Sequence, residues 1–408
     1  MKLLSIAFLS LFAFTAGSQS AEPPPPRNGD KLVIINDDGF SKFYGGYYPT
    51  EGALRKRLLA YKDTQLAVFE WCFVAGSRVN YPSEIHELIG EDMKEFPRRG
   101  DKRAAETLRR FRDEGVDTLA VVVDTCHEMG ISCYASMRMN GDYPANAWDG
   151  QMAPMFNSDF WHDHPEFRQR DEKGIDLTRL SYAYPEVREF KLSFLREAVQ
   201  RDIDGINFDF QRHPNFFRLE QAMLDAFRKK YGEDGLKVSA DDPRWFPLRA
   251  EFMTGFVRDA RAILDAAGEK KGRRLGLSVR IDWQKYQHWG CDIETWMNEG
   301  WIDCLIVGQY GLGGYEFDIA PFVKMAKESG SGCAVLFSEE CIVRGHDRTP
   351  KEDKAIAAGT MTPKRSTHIT LEEHQQRAQK AYDAGADGMH LFNLSYPQVL
   401  KTIGTSEK

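Results

Sequence analysis

Long apolar runs are scarce in this chain. After the first 20 residues no segment has 18 uninterrupted apolar residues, so stable membrane insertion is not expected. A basic stripe is also missing: formal net charge is −7 with both signs interspersed, which argues against a nucleic-acid partner. No Gly-x-Gly-x-x-Gly follows the first strand-like run, so a nucleotide-binding open sheet is disfavoured. There is no Gly-x-Ser-x-Gly elbow and no Ser-His-Asp signature. Tandem repeats are lacking, and Pro23 to Pro26 is the one low-complexity tract. Cysteine is sparse and odd in number, at seven, and Cys72, Cys133, Cys304 and Cys333 fall inside apolar runs. Most are therefore expected to be buried free thiols.

What is present begins with a leader. Lys2 precedes an apolar run from Leu3 to Ala16, and Ser18-Gln19-Ser20 offers a small-x-small cleavage site. The expected organisation is a signal peptide at 1–20, a Pro-rich linker at 21–30, one large domain at 31–398 and a short tail at 399–408. An exported protein, periplasmic or secreted, is the expectation.

The chain is organised around the stretch from Asp202 to Pro214. An amphipathic helix opens at Pro185, with Val187, Phe190, Phe194, Leu195 and Val199 at helical spacing. Gly205 then leads into Ile206 to Phe210, too short for a helix and read as a buried strand. Asp209 stands at its carboxyl end, followed by Arg212, His213 and the strand-stopping Pro214. Similar runs recur along the chain: Leu32 to Ile35, Thr64 to Phe73, Ile131 to Met137, Leu275 to Ile281, Cys304 to Val307, Cys333 to Phe337 and Gly388 to Phe392. Helical patterns separate them, and Thr370 with Glu373 forms a capping box before the last. Alternation of this kind implies parallel strands, and eight is the number that closes a (β/α)8 TIM barrel.

In such a barrel, chemistry collects where strands end. The strand-end residues are Asn36, Asp37, Asp38, Glu70, Arg138, Asp209, Arg212, His213, Arg280, Asp282, Gln309, Glu339, Glu340 and Asn393. Long rim loops add Tyr143, Trp148, Trp161, Trp283 and Tyr310. Paired carboxyls with aromatic faces suit sugar chemistry, one carboxyl as acid and one as nucleophile or base. Asp209 leads. Its partner is expected across the ring at Glu340 or Glu339, only one of which can face inward, with Asp282 as the nearby rival. At least two of the five loop aromatics are expected to line the Asp209 rim. No cofactor and no metal is expected; a polysaccharide or oligosaccharide is the expected partner, and oligomeric state stays open.

Plainer readings stand beside these. Glu70, between Phe69 and Trp71, reads as a paired carboxylate of the barrel interior, and the aromatic loop as a hydrophobic plug. Two other functions compete with hydrolysis: a sugar-binding barrel without turnover, and a metal-dependent deacetylase or amidohydrolase using Asp37, Asp38, His162 and His164.

The motifs, taken in order, resemble one family. Tyr81-Pro82-Ser83, His127-Glu128-Met129-Gly130-Ile131, His164-Pro165-Glu166-Phe167 and Asp171-Glu172-Lys173-Gly174 come first. Pro185-Glu186-Val187-Arg188 through Asp204-Gly205-Ile206-x-x-Asp209 follows, then Gly300-Trp301-Ile302-Asp303 and Gln309-Tyr310. Their order and spacing resemble the glycosyl-hydrolase-like family ten of bacterial exported TIM barrels. The resemblance implies a glycosidase-like barrel with Asp209 in its site. Gly308, where that family tends to proline, and Arg212-His213-Pro214, where it tends to Arg-Tyr-Pro, are departures.

Overall fold

The computed structural model describes residues 22–96, 98–147, 150, 152–212, 214–309, 317–340, 354–356, 358–362, 370–393 and 397–406, with Glu340 described through its backbone alone. Eight parallel strands form a closed barrel: β1 Leu32–Asp37, β2 Val68–Ala75, β3 Ser132–Arg138, β4 Gly205–Asp209, β5 Gly276–Asp282, β6 Cys304–Gly308, β7 Ala334–Glu340 and β8 Gly388–Phe392. Closure is explicit, because β1 pairs with β2 on one side and with β8 on the other. The helices expected from the sequence lie between the strands. Pro185–Ala198 has proline in its first turn, Trp245–Lys271 ends on left-handed Gly272, and Leu371–Asp383 carries the Thr370–Glu373 capping box.

The barrel interior is filled in layers. Its floor is apolar, built from Leu32, Ile34, Val68, Tyr134, Cys304, Ile306, Ala334 and Leu336. Tyr134 is accommodated because two neighbouring strands open on glycine. A Cβ on Gly276 would lie 1.9 Å from the Tyr134 hydroxyl, and one on Gly205 2.6 Å from its ring. Above the floor lies a polar layer with one side chain from nearly every strand. Asn36 Nδ2 donates to Glu70 Oε2 and Ser136 Oγ, both at 2.9 Å. Ser136 Oγ donates to Asn207 Oδ1, and Asn207 Nδ2 to Ser278 Oγ. Ser278 Oγ reaches Glu70 Oε1 at 2.9 Å, and His390 Nε2 stands 3.2 Å from Glu70 Oε2. Glu70 is thus the paired interior carboxylate expected of it, which is the condition for burying a charge.

The opposite end is clamped by a repeated device. Asp204, Asp303 and Asp387 each sit just before a strand and accept a backbone N–H from the start of the preceding one: Cys133 at 2.7 Å, Leu277 at 2.7 Å and Val335 at 2.8 Å.

One boundary needs correction. The segment expected as a tail from 399 is part of the domain: Val399, Leu400 and Ile403 are buried, and Gly404 N donates to Gln65. The Pro-rich segment is also tied down, Arg27 donating to the carbonyls of Thr64 and Met129. Val399, Leu400 and Ile403 belong to the main hydrophobic cluster. Six of the seven cysteines are described, and all six are free and buried. No helix of the described residues is long and apolar enough to cross a membrane.

Candidate active site

Strand pleating places alternate residues of β4 in the lumen. Asn207 joins the polar layer, and Asp209 stands one layer above it, 1% exposed. Asp209 Oδ2 lies 3.4 Å from Nη1 of Arg280 on β5, and Oδ1 accepts the Gln211 backbone N–H at 3.1 Å. Arg280 is wholly buried; its Nε donates to Ser338 Oγ at 3.0 Å, and Ser338 meets His390 Nδ1 at 2.9 Å. A continuous polar chain therefore joins Asp209 to Glu70 through Arg280, Ser338 and His390. Phe392 lies under both the Arg280 and Arg212 guanidiniums, each 4.8 Å from its ring centre.

A second cluster lies at the ends of β1, β3 and β8. Asp38 accepts from the backbone of Phe40 and Ser41, and from Asn393 Nδ2 at 2.9 Å, while Arg138 stands 3.8 Å away. Burial pushes the Asp38 carboxyl up, but the Arg138 charge and the Ser41 bonds outweigh it and bring it down to about 2. Asn393 answers with its own Oδ1, which takes the Asp38 N–H at 3.0 Å. Burial pushes the Tyr143 phenol up, against the pull of Arg138 and Arg212.

Several expected site residues stand elsewhere. Glu339 is corrected: it points outward from β7, 2.9 Å from His374 Nδ1 and 2.7 Å from Arg377 Nη1 of the last helix. Ser338 occupies the inward direction at that point, so the pleat turns Glu339 away. Asp282 accepts the backbone N–H groups of Gln284 and Lys285 and caps the turn after β5. Trp161 is corrected too. It is buried in a satellite cluster with Leu180 and Val187, under an Arg168 guanidinium 3.7 Å from its ring, and its indole donates to Thr178 O. Trp283 stacks on Phe317, which stacks on Phe337. Asn36 belongs to the interior polar layer. Gln309 is half-buried just past β6. Trp148, His213, Tyr310 and the Glu340 side chain lie outside the described residues.

Among the described residues, no group of three or more His, Cys, Asp or Glu is placed to hold a metal ion, the residues of the metal-dependent alternative included. Asp37 is held by Lys42 and Tyr48, Asp38 by Arg138 and Asn393, and His164 by Glu166. Sequence reasoning missed Ser136, Asn207, Ser278, Ser338, His390 and Gln211. The available signal was the two-residue period, which runs from Asn207 to Asp209 on one strand and joins Ser278 to Arg280 on the next, while Gln211 lies in the turn after β4.

With the barrel and its rim in view, comparisons with known proteins add the family. The glycosyl hydrolase-like 10 model matches residues 94–316, more than half of the chain. This chain belongs to the glycosyl hydrolase-like 10 family. No curated protein matches it in a sequence comparison. The catalytic domain of β-amylase from Paenibacillus polymyxa shares the fold, with TM-score 0.52 and 11% identity over 92% of this chain and 96% of that one. A cycloisomaltooligosaccharide glucanotransferase of Paenibacillus sp., complexed with cycloisomaltoheptaose, superposes with TM-score 0.45 at 10% identity over 77% of this chain. Chitinase ChiW from Paenibacillus sp. str. FPU-7 gives TM-score 0.45 at 12% identity over 92% of this chain. This chain spans 39% and 42% of those last two proteins. The architecture is that of a glycosidase-like TIM barrel.

In this glycosyl hydrolase-like 10 member the family motifs largely build scaffold. The Tyr81 and Ser83 hydroxyls both donate to Glu197, at 2.7 and 2.8 Å, pinning the helix that leads into β4. His127 meets Asp204 at 2.9 Å, and Asp303 binds Arg274. Among the motif carboxylates, Asp209 is the one delivered to the lumen beside an arginine.

Proposed function

We propose that this protein is an exported glycoside hydrolase acting on a polysaccharide or glycan strand, with Asp209 as its central carboxylate. The observation carrying this reading is the setting of Asp209: a lumen position at the end of β4, a guanidinium at one oxygen and a backbone N–H at the other. Donors at both oxygens suit the anionic member of a carboxyl pair, so Asp209 is assigned as nucleophile or base, and the proton donor is sought elsewhere. Glu340 is the proposed donor. Glu339 is committed outward, and the two-residue period of a strand is what keeps Glu340 a candidate. Asp282 ranks below it, because its carboxylate already caps a turn.

A second reading has its own support. Asp209 is 1% exposed and already ion-paired, which suits a sugar-binding barrel without turnover. Digestion of a glycan panel, read by mass spectrometry, separates the two. We expect product from the native chain and a loss of turnover of about 10³-fold or more for Asp209→Asn and Glu340→Gln, with unfolding behaviour retained. Product formation undiminished in Asp209→Asn would refute the assignment. Glycan binding without any product would favour the second reading.

A further inference from the structure

We infer that Gln211 is a substrate-positioning residue of this site, its amide gripping two adjacent hydroxyls of the sugar seated at Asp209; the inference rests on the carbohydrate reading above. The Gln211 side chain is 1% exposed, yet among the described residues neither its Nε2 nor its Oε1 has a hydrogen-bond partner. That sets it apart from the polar stack beneath it. Asn36, Glu70, Ser136, Asn207, Ser278, Ser338 and His390 are all bonded to one another. Native proteins leave few buried polar groups unpaired, and one that persists beside a candidate site calls for an explanation, of which a bound partner is one.

The position of the amide says what that partner meets. A Cβ on Gly308 would come within 2.8 Å of Gln211 Nε2, 3.0 Å of Oε1 and 2.9 Å of the Ser338 Cβ. The amide therefore lies across the end of β6, in space that Gly308 leaves open, and next to Ser338. Ser338 holds Arg280, Arg280 faces Asp209, and the backbone of Gln211 itself donates to Asp209. The amide is thus tied to the Asp209 carboxylate through Ser338 and Arg280 and through its own backbone N–H, and we set both against one sugar. A primary amide presents one acceptor and one donor side by side. Two neighbouring hydroxyls match it, one donating to Oε1 and the other accepting from Nε2. The recognised chemistry is thus a vicinal diol on the ring held at Asp209.

The test uses Gln211→Met in the full chain, alone and combined with Asp209→Asn, and a panel of neutral cello-, xylo-, manno-, malto- and chito-oligosaccharides. Two measurements run in parallel. Urea unfolding without sugar should place Gln211→Met at the same or a higher midpoint than the native chain, since no bond is lost. Titration calorimetry on the Asp209→Asn background should show at least tenfold weaker binding of the recognised oligosaccharide when Gln211→Met is added. A lower unfolding midpoint would mean that the amide serves the fold, and would overturn the inference. So would unchanged affinity across the panel, or no binding by the Asp209→Asn chain at all. A panel member that binds, loses affinity on Gln211→Met and yet yields no product with the native chain would refute hydrolysis while leaving Gln211 in its role.

Discussion

Replacing Asp38 with asparagine isolates the electrostatics of the β1–β8 end of the rim. The native carboxylate is buried and is held by Arg138, Ser41 and Asn393. Asparagine keeps one carbonyl oxygen for the turn but removes the charge facing Arg138 and the second acceptor for Asn393. The carboxyl moves from its ordinary 3.8 to about 2 in the folded chain, because Arg138 and Ser41 outweigh the cost of burial. At about 1.4 kcal/mol per pKa unit, that is about 2 kcal/mol of stability at neutral pH. A carboxyl whose folded pKa is depressed contributes fully above its unfolded value, near 4, and loses that contribution as pH falls through about 2. At pH 3 the remaining contribution is about 1 kcal/mol by the same linkage. Urea unfolding of the native chain and Asp38→Asn at pH 7 and pH 3 measures both quantities. The expected difference is about 2 kcal/mol at pH 7, roughly halved at pH 3. A difference that is equal at the two pH values, or below about 0.5 kcal/mol at pH 7, would refute the pairing argument.

Two further outcomes follow from the corrected placements. Glu339→Gln should keep turnover within a few-fold of native while lowering stability by about 1.5–3 kcal/mol, because its carboxylate serves Arg377 and His374 outside the barrel; a collapse of turnover at unchanged stability would return Glu339 to the lumen. Tyr81→Phe should cost about 1–3 kcal/mol in chemical unfolding through the lost bond to the buried Glu197, with Ser83→Ala adding less than its own single effect, since the two share one acceptor oxygen. Full additivity in that double variant would break the shared-acceptor argument.

The barrel was legible in the sequence because its signals are local. Each strand is a short apolar run, each helix keeps its own period and caps, and the Asp-Gly steps at Asp204-Gly205 and Asp387-Gly388 mark where strands begin. The end of β4 was legible for the same reason, since Asp209 closes a short apolar run that a proline follows five positions on. Boundaries drifted by a few residues: β7 runs on to Glu340 rather than ending at Phe337.

What stayed hidden depends on partners far away in the chain. Asp38 is bound by Asn393, 355 positions on, and Glu70 by His390, 320 positions on. No local pattern announces either pair. The direction of a strand side chain follows the same logic. A pleat with a period of two says that Glu339 and Glu340 face opposite ways, but which of them faces in is set by closure of the ring around Ser338, Arg280 and His390. Trp161 and the segment after Val399 look solvent-facing or free in sequence because their burial is conferred by elements that fold over or under them. The sequence by itself determined the number, kind and order of the elements through short-range periodicity. Only the tertiary structure decided which polar groups meet in the lumen, because those meetings are between strands that chain order keeps apart.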